Sequence, residues 1–216
     1  MKFDIITIFP DIFKGFTSQS LLARAQKKNL ISIKTYNLRD WTSDPHKTVD
    51  DRPYGGGAGM VMKVEPISQA VKSLRPSKKT RIILLSAKGK TFDQKKAKQL
   101  SKYDRLIFIC GRYEGVDERV AQYVADEEIS IGNYILFGGE VASMVIIESV
   151  SRLLSGVIAK EESVKNESFS KEDIREHPHY TRPEVFEMGK RKIKVPKILL
   201  SGDHKKIKEW RARRSR

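Results

Sequence analysis

The sequence predicts an α/β protein built on a mostly parallel, doubly wound sheet. Three observations carry that expectation. Residues 3–9, 81–85 and 106–110 are apolar almost throughout, as in strands covered on both faces. Segments of helical periodicity alternate with these runs, which is the pattern of a parallel sheet with crossover helices. Finally, the expected strand ends at Ser86, Gly111 and Leu136 each adjoin a glycine-bearing loop. Ligands of such folds sit beyond the carboxyl ends of the strands.

In chain order, Pro10 closes the first strand, and Asp11 or Ser18 is the expected cap of a helix with Leu21, Leu22 and Ala25 on its inner face, ending near Asn29. Residues 31–36 alternate as a second strand. Residues 37–59 have little periodicity, and loops of that length inside a domain tend to be functional or disordered. The density of His46, Asp50, Asp51, Arg52 and Tyr54 before a glycine cluster favours an ordered, functional loop. A helix is expected over 66–74, a buried strand over 81–85, a helix capped by Asp93 to about Lys102, and a long buried helix over 141–154.

Residues 155–180 are polar and acid-rich, and read as a linker or lid between residues 1–154 and a small basic module at 181–216 with one helix from Asp203 to about Arg211. The net charge of +15 marks a polyanion binder. From Lys190 onward twelve Lys or Arg face only Asp203 and Glu209, so this tail carries +10 of that charge. Ile207 and Trp210 give it a means of docking, and RNA contact is weighed above a merely solvated helix.

The chain is long enough for a full core, and no apolar run approaches the roughly 18 residues of a membrane span. The start, MKFDIITIFPDIF, lacks the layout of a signal peptide. The single Cys110 excludes a disulfide framework or a cysteine metal cluster, and a cytoplasmic setting is expected. Leu84 stands where a phosphate loop ending in Gly89-Lys90-Thr91 needs glycine, so that motif is absent. There is no G-x-G-x-x-G after the first strand and no H-E-x-x-H. His46, His177, His179 and His204 are scattered in sequence, and no metal site is expected from them.

The densest chemistry runs from Leu106 to Glu140. Gly111 and Gly115 bracket Arg112, Tyr113 and Glu114, and Gly132, Gly138 and Gly139 punctuate the next apolar segment. Glycines let backbone amides approach a ligand, so the group reads as a nucleotide-type site.

The strings KTVDDRPYGGGAGM, CGRYEGVDERV, SIGNYILFGGE, PHYTRPEV and SGDHKKIKEWR closely resemble bacterial tRNA (guanine-N1)-methyltransferases of the TrmD type, in the right order along the whole chain. The resemblance implies a SPOUT fold, in which the C-terminal part of the sheet forms a trefoil knot holding S-adenosylmethionine, and a homodimer with active sites between subunits. Magnesium dependence is also implied, without ligands that the sequence identifies.

By the same resemblance the cofactor-binding residues are Leu85, Ser86, Gly89, Gly111, Tyr113, Glu114, Ile131, Gly132, Asn133, Tyr134, Ile135, Leu136, Gly138 and Gly139. Those expected to contact tRNA are His46, Asp50, Arg52, Arg112, Lys205, Trp210 and Arg211. For Arg112 and Glu114 an ion pair that fixes the turn stands beside a direct role. Arg152 matches the family's catalytic arginine, and Glu167 stands where the family has a catalytic aspartate. Read without the family, Glu167 is one acid in an acid-rich linker.

Ala87 replaces the usual proline and Asn133 an aspartate. Relatives continue beyond Arg216 with a further helical segment, so weaker tRNA binding with a steep salt dependence is expected. A related enzyme acting on another RNA, or a non-catalytic RNA binder, remain the competing readings.

Overall fold

The computed structural model describes residues 1–158, 167–169 and 174–215. The chain forms two compact units, residues 1–159 and 160–216.

The first unit is an α/β layer structure. Its sheet contains β1 (Lys2–Thr7), β2 (Ser32–Asn37), β5 (Thr80–Thr91), β6 (Arg105–Cys110) and β7 (Glu127–Ser130) in the order β2-β1-β6-β5-β7. Every pairing is parallel. Two short strands, β3 (Asp50–Asp51) and β4 (Val61–Met62), form a separate antiparallel ladder.

The apolar runs are buried on both faces because alternate side chains enter different cores. Phe3, Ile5, Ile83, Leu85, Leu106, Phe108 and Cys110 pack on one side with α2 (Ser20–Lys27), α4 (Gln94–Leu100) and α6 (Gly139–Ser151). Ile6, Ile82, Leu84, Ile107 and Ile109 pack on the other with α3 (Val64–Ser73) and α5 (Glu118–Tyr123). In α6, Ile146, Ile147 and Val150 are fully buried, and each such side chain contributes about 1.5–3 kcal/mol.

Several expectations need correction. The first strand stops at Thr7, because the chain turns into a short helix over Pro10–Phe13. Neither Asp11 nor Ser18 caps the helix that follows. A short α1 (Lys14–Thr17) comes first, and Gln19 precedes α2 without a side-chain cap. The third strand end is Ser130, not Leu136; residues 131–138 form a loop in which Ile135 and Phe137 are 84% and 95% exposed. The 37–59 stretch carries a helical turn at Leu38–Trp41 and β3. The Asp93 cap is present, its Oδ1 accepting from the Lys96 N–H at 2.6 Å.

The second unit contains a hairpin of β8 (Val185–Met188) and β9 (Arg191–Lys194), a turn of helix at Lys197–Leu200, and α7 (His204–Arg214). Asp203 caps α7 by accepting from the Lys206 N–H at 3.0 Å. None of its described residues is buried.

Candidate active site

A cavity of about 260 Å³ opens at the carboxyl ends of β5, β6 and β7. Its walls come from three segments: the bulge of β5 at residues 86–88, the turn after β6, and the loop from β7 to α6. Helix α5 adds Glu118 and Ala121.

Backbone bonds fix the turn after β6 from two sides. The Gly115 N–H donates to Arg112 O at 3.1 Å, while Glu114 N–H donates to Met60 O at 3.0 Å. Met62 N–H donates to Gly115 O, and Asp117 N–H returns a bond to Met62 O, both at 3.0 Å. The end of the 37–59 loop is thereby tied to the cavity wall. On the opposite side, Tyr134 N–H donates to Gly132 O at 3.0 Å and its hydroxyl to Ile131 O at 3.1 Å.

The loop meets the turn where α6 begins. Gly139 N–H donates to Gly111 O at 3.0 Å, and a Cβ at Gly139 would lie 2.8 Å from the Cα of Cys110. Only glycine permits this approach of the helix to the end of β6.

Twelve of the residues expected to bind the cofactor line the cavity: Leu85, Ser86, Gly111, Tyr113, Glu114, Ile131, Gly132, Tyr134, Ile135, Leu136, Gly138 and Gly139. Gly89 instead sits within β5 against the backbone of Glu128 and Ile129, and Asn133 is exposed outside the lining. Sequence reasoning missed Val116, Glu118, Ala121, Glu128 and Ala142. Val116 and Glu118 were hidden because α5 is too short to show a helical period, although Asp117 caps it, accepting from the Arg119 N–H at 2.9 Å. Bonding to Arg119 holds the Asp117 carboxyl below its usual range.

Arg112 lines the same cavity, but its Nε donates to Glu140 Oε2 at 2.9 Å and its guanidinium lies 4.7 Å from the Phe9 ring centre. The ion pair expected of Arg112 with Glu114 inside the turn is not the one formed: Arg112 pairs with Glu140, which ties the turn to α6 instead. His46 and Arg52 are exposed on the long loop, and Asp50 is half-buried in β3.

Arg152 follows the last turn of α6, with its N–H on Glu148 O at 3.1 Å and its side chain exposed. Glu167, in the second unit, is half-buried. Lys205, Trp210 and Arg211 lie on α7. Trp210 packs edge-on to Tyr180 at 6.3 Å, and Arg214 covers its ring at 5.8 Å.

Within the second unit Arg211 shares a cavity with His177, His179 and Leu199. Two of the four histidines are therefore not scattered: the His177 and His179 rings are 4.6 Å apart, and His179 Nε2 is 2.8 Å from Glu176 Oε1. One ligand atom from each of these three residues falls within 4.8 Å of the others. Partial burial, then the charges of His179 and Arg211, lower the pKa of His177. Among the described residues no helix is long and apolar enough to cross a membrane.

The parallel sheet with helices on both faces defines an α/β protein, and its glycine-walled cavity lies where such folds place their ligands. The chain belongs to the tRNA (Guanine-1)-methyltransferase TrmD family, whose model matches residues 1–216. It is 54% identical over 215 residues to a tRNA (guanine-N(1)-)-methyltransferase of Carboxydothermus hydrogenoformans, covering 100% of this chain and 83% of the relative. A protein of the same name from Dictyoglomus turgidum is 54% identical over 211 residues, 98% of this chain and 83% of its own length. One from Bacillus cereus strain AH820 is 49% identical over 217 residues, 100% of this chain and 87% of its own.

Proposed function

We propose that this protein transfers a methyl group from S-adenosylmethionine to N1 of the guanosine immediately 3′ of the anticodon in tRNA. The observation that carries this reading is the glycine-walled cavity in a chain of this family. Its lining suits the donor. Leu85, Ile131 and Leu136 supply an apolar slot for a base, and Glu114 and Glu128 add negative charge for a cationic ligand beside the Lys88–Glu118 and Arg112–Glu140 pairs.

When bound, the donor supplies an electrophilic methyl on a sulfonium, open to in-line displacement. N1 of guanine carries a proton at neutral pH, so the chain must provide a base, and Glu167 takes that role. Loss of the proton places negative charge on the base ring and O6, which Arg152 stabilises. As a glutamate in place of the family's aspartate, Glu167 reaches N1 through one extra methylene.

Arg152 and Gly139 close opposite ends of α6, roughly 20 Å apart at 1.5 Å per residue. For Arg152 to act at this cavity it must therefore come from a second copy, which supports a homodimer. The trefoil knot in the C-terminal part of the sheet belongs to the same reading. So do delivery of tRNA by the basic module around α7, action in the cytoplasm, and a magnesium requirement tested by chelation.

The test is incubation with S-adenosylmethionine and unmodified tRNA, followed by digestion and identification of the methylated nucleoside by mass. N1-methylguanosine from tRNA is expected. Methylation of another RNA alone, or tRNA binding without donor binding, overturns the proposal. Glu167→Ala and Arg152→Ala should each lower the single-turnover rate by about 100-fold or more with donor affinity little changed. An unchanged rate at several pH values removes Glu167 as the base, and lost donor affinity moves Arg152 to a binding role.

A further inference from the structure

We infer that Glu140 is the positioning residue of the cavity: its carboxylate, held between Thr7 and Arg112, sets the spacing of the two loops that grip the donor. This rests on the reading of that cavity as the donor site.

Glu140 is 1% exposed, a burial that a carboxylate tolerates only when its oxygens are paired. Both are. Oε1 accepts from the Thr7 hydroxyl at 2.7 Å, and Oε2 accepts from Arg112 Nε at 2.9 Å. Thr7 Oγ1 in turn accepts from the Phe9 N–H at 2.9 Å, and the Phe9 ring faces the Arg112 guanidinium. Three distant pieces of chain are thus joined at one carboxylate: the end of β1, the turn after β6 and the first turn of α6. A negative group in a helix's first turn is also favoured by the exposed N–H groups there.

Gly138 gives an independent sign of the same device. Its φ of 177° is ordinary extended backbone, so no conformational demand explains the glycine. What excludes a side chain is the ion pair itself. A Cβ there would stand 2.4 Å from Arg112 Nε and 2.6 Å from Glu140 Oε2. Gly138 is the slot through which the pair passes, and Gly139 the point at which the helix meets β6. In the string GGE, therefore, the glycines and the acid serve one purpose, and Glu140 acts on the donor only through Arg112 and the loop backbone.

The test uses Glu140→Gln, which keeps the volume and the bond from Thr7 but removes the charge, and Thr7→Val, which leaves the ion pair in place. In the ligand-free protein, amide exchange over residues 111–116 and 137–141 should quicken by about tenfold or more in Glu140→Gln, with residues 32–37 unchanged. The dissociation constant for S-adenosylmethionine by calorimetry should rise by about tenfold, while turnover at saturating donor stays within about twofold. Thr7→Val should move both readouts in the same direction by less, and it decides the matter if Glu140→Gln does not fold.

Exchange unchanged in both segments overturns the inference, as does a fall in turnover at unchanged donor affinity. A wild-type protein that gives no heat with the donor sinks the donor reading instead, and the exchange experiment then decides the role of Glu140 alone.

Discussion

The two units of this chain are held by different forces. In the first, charged pairs are drawn into the protein and join remote segments: Asp4, 3% exposed, binds Arg105, and Glu127 binds both Arg81 at 2.8 Å and Lys96 at 2.7 Å. In the second, pairs such as Lys192 with Glu187 at 3.3 Å and Lys206 with Asp203 at 3.2 Å are local and wet. The first unit has a core on each face of its sheet, while the second buries none of its described residues and leaves Phe186, Met188 and Ile193 about half exposed. Apolar burial specifies the first, and the second spends its sequence on charge.

The contrast breaks first at the aromatic residues. Phe108→Ala, at a fully buried position, should cost about 3–5 kcal/mol in urea unfolding, whereas Phe186→Ala, 54% exposed, should cost under about 1 kcal/mol. Equal costs would mean that the second unit has a core of its own. Next come the ion pairs. Asp4→Ala strands Arg105 and should destabilise by about 3 kcal/mol, against about 0–1 kcal/mol for Glu187→Ala.

Acid should separate the units by order. The folded-state pKa of His177 is lowered from 6.5, so the folded form binds fewer protons than the unfolded one and stability is lost as pH falls below 6.5. Glu127, despite a desolvation effect that opposes it, is lowered from 4.5 by its bonds to Arg81 and Lys96, and its contribution is lost only below 4.5. Followed by Trp210 fluorescence in a Trp41→Phe background and by amide exchange, the second unit should change first, and simultaneous change refutes the assignment. The smallest effect is Lys205→Ala, which should leave stability within about 0.5 kcal/mol yet reduce the salt slope of tRNA binding by about one.

The sequence was readable where local rules decide the outcome. Apolar runs marked β1, β5 and β6, and Asp93 marked the start of α4, because burial on two faces and capping both leave their signature within a few residues. It misled where an apolar run is not buried. The apolar segment ending at Leu136 reads as strand, but the strand is Glu127–Ser130, whose leading acid is neutralised by Arg81 and Lys96 from other elements.

The glycines drew attention to the cavity, and most of the expected lining is there. What no local rule conveys is the bond between Arg112 and Glu140, or between Glu140 and Thr7, since partners that far apart meet only after the sheet has formed. The hairpin β8–β9 escaped for another reason: β9 is charged at all but Ile193, β8 is apolar but for Glu187, and neither is long enough to show an alternating face.

Cys110 is completely buried at the tip of β6, and desolvation, reinforced by the nearby Glu140 charge, pushes its thiol pKa well up. It is also the chain's one sulfhydryl. A maleimide or disulfide reagent therefore finds nothing to react with until the middle of the sheet opens, and its rate of capture becomes a clock for that opening.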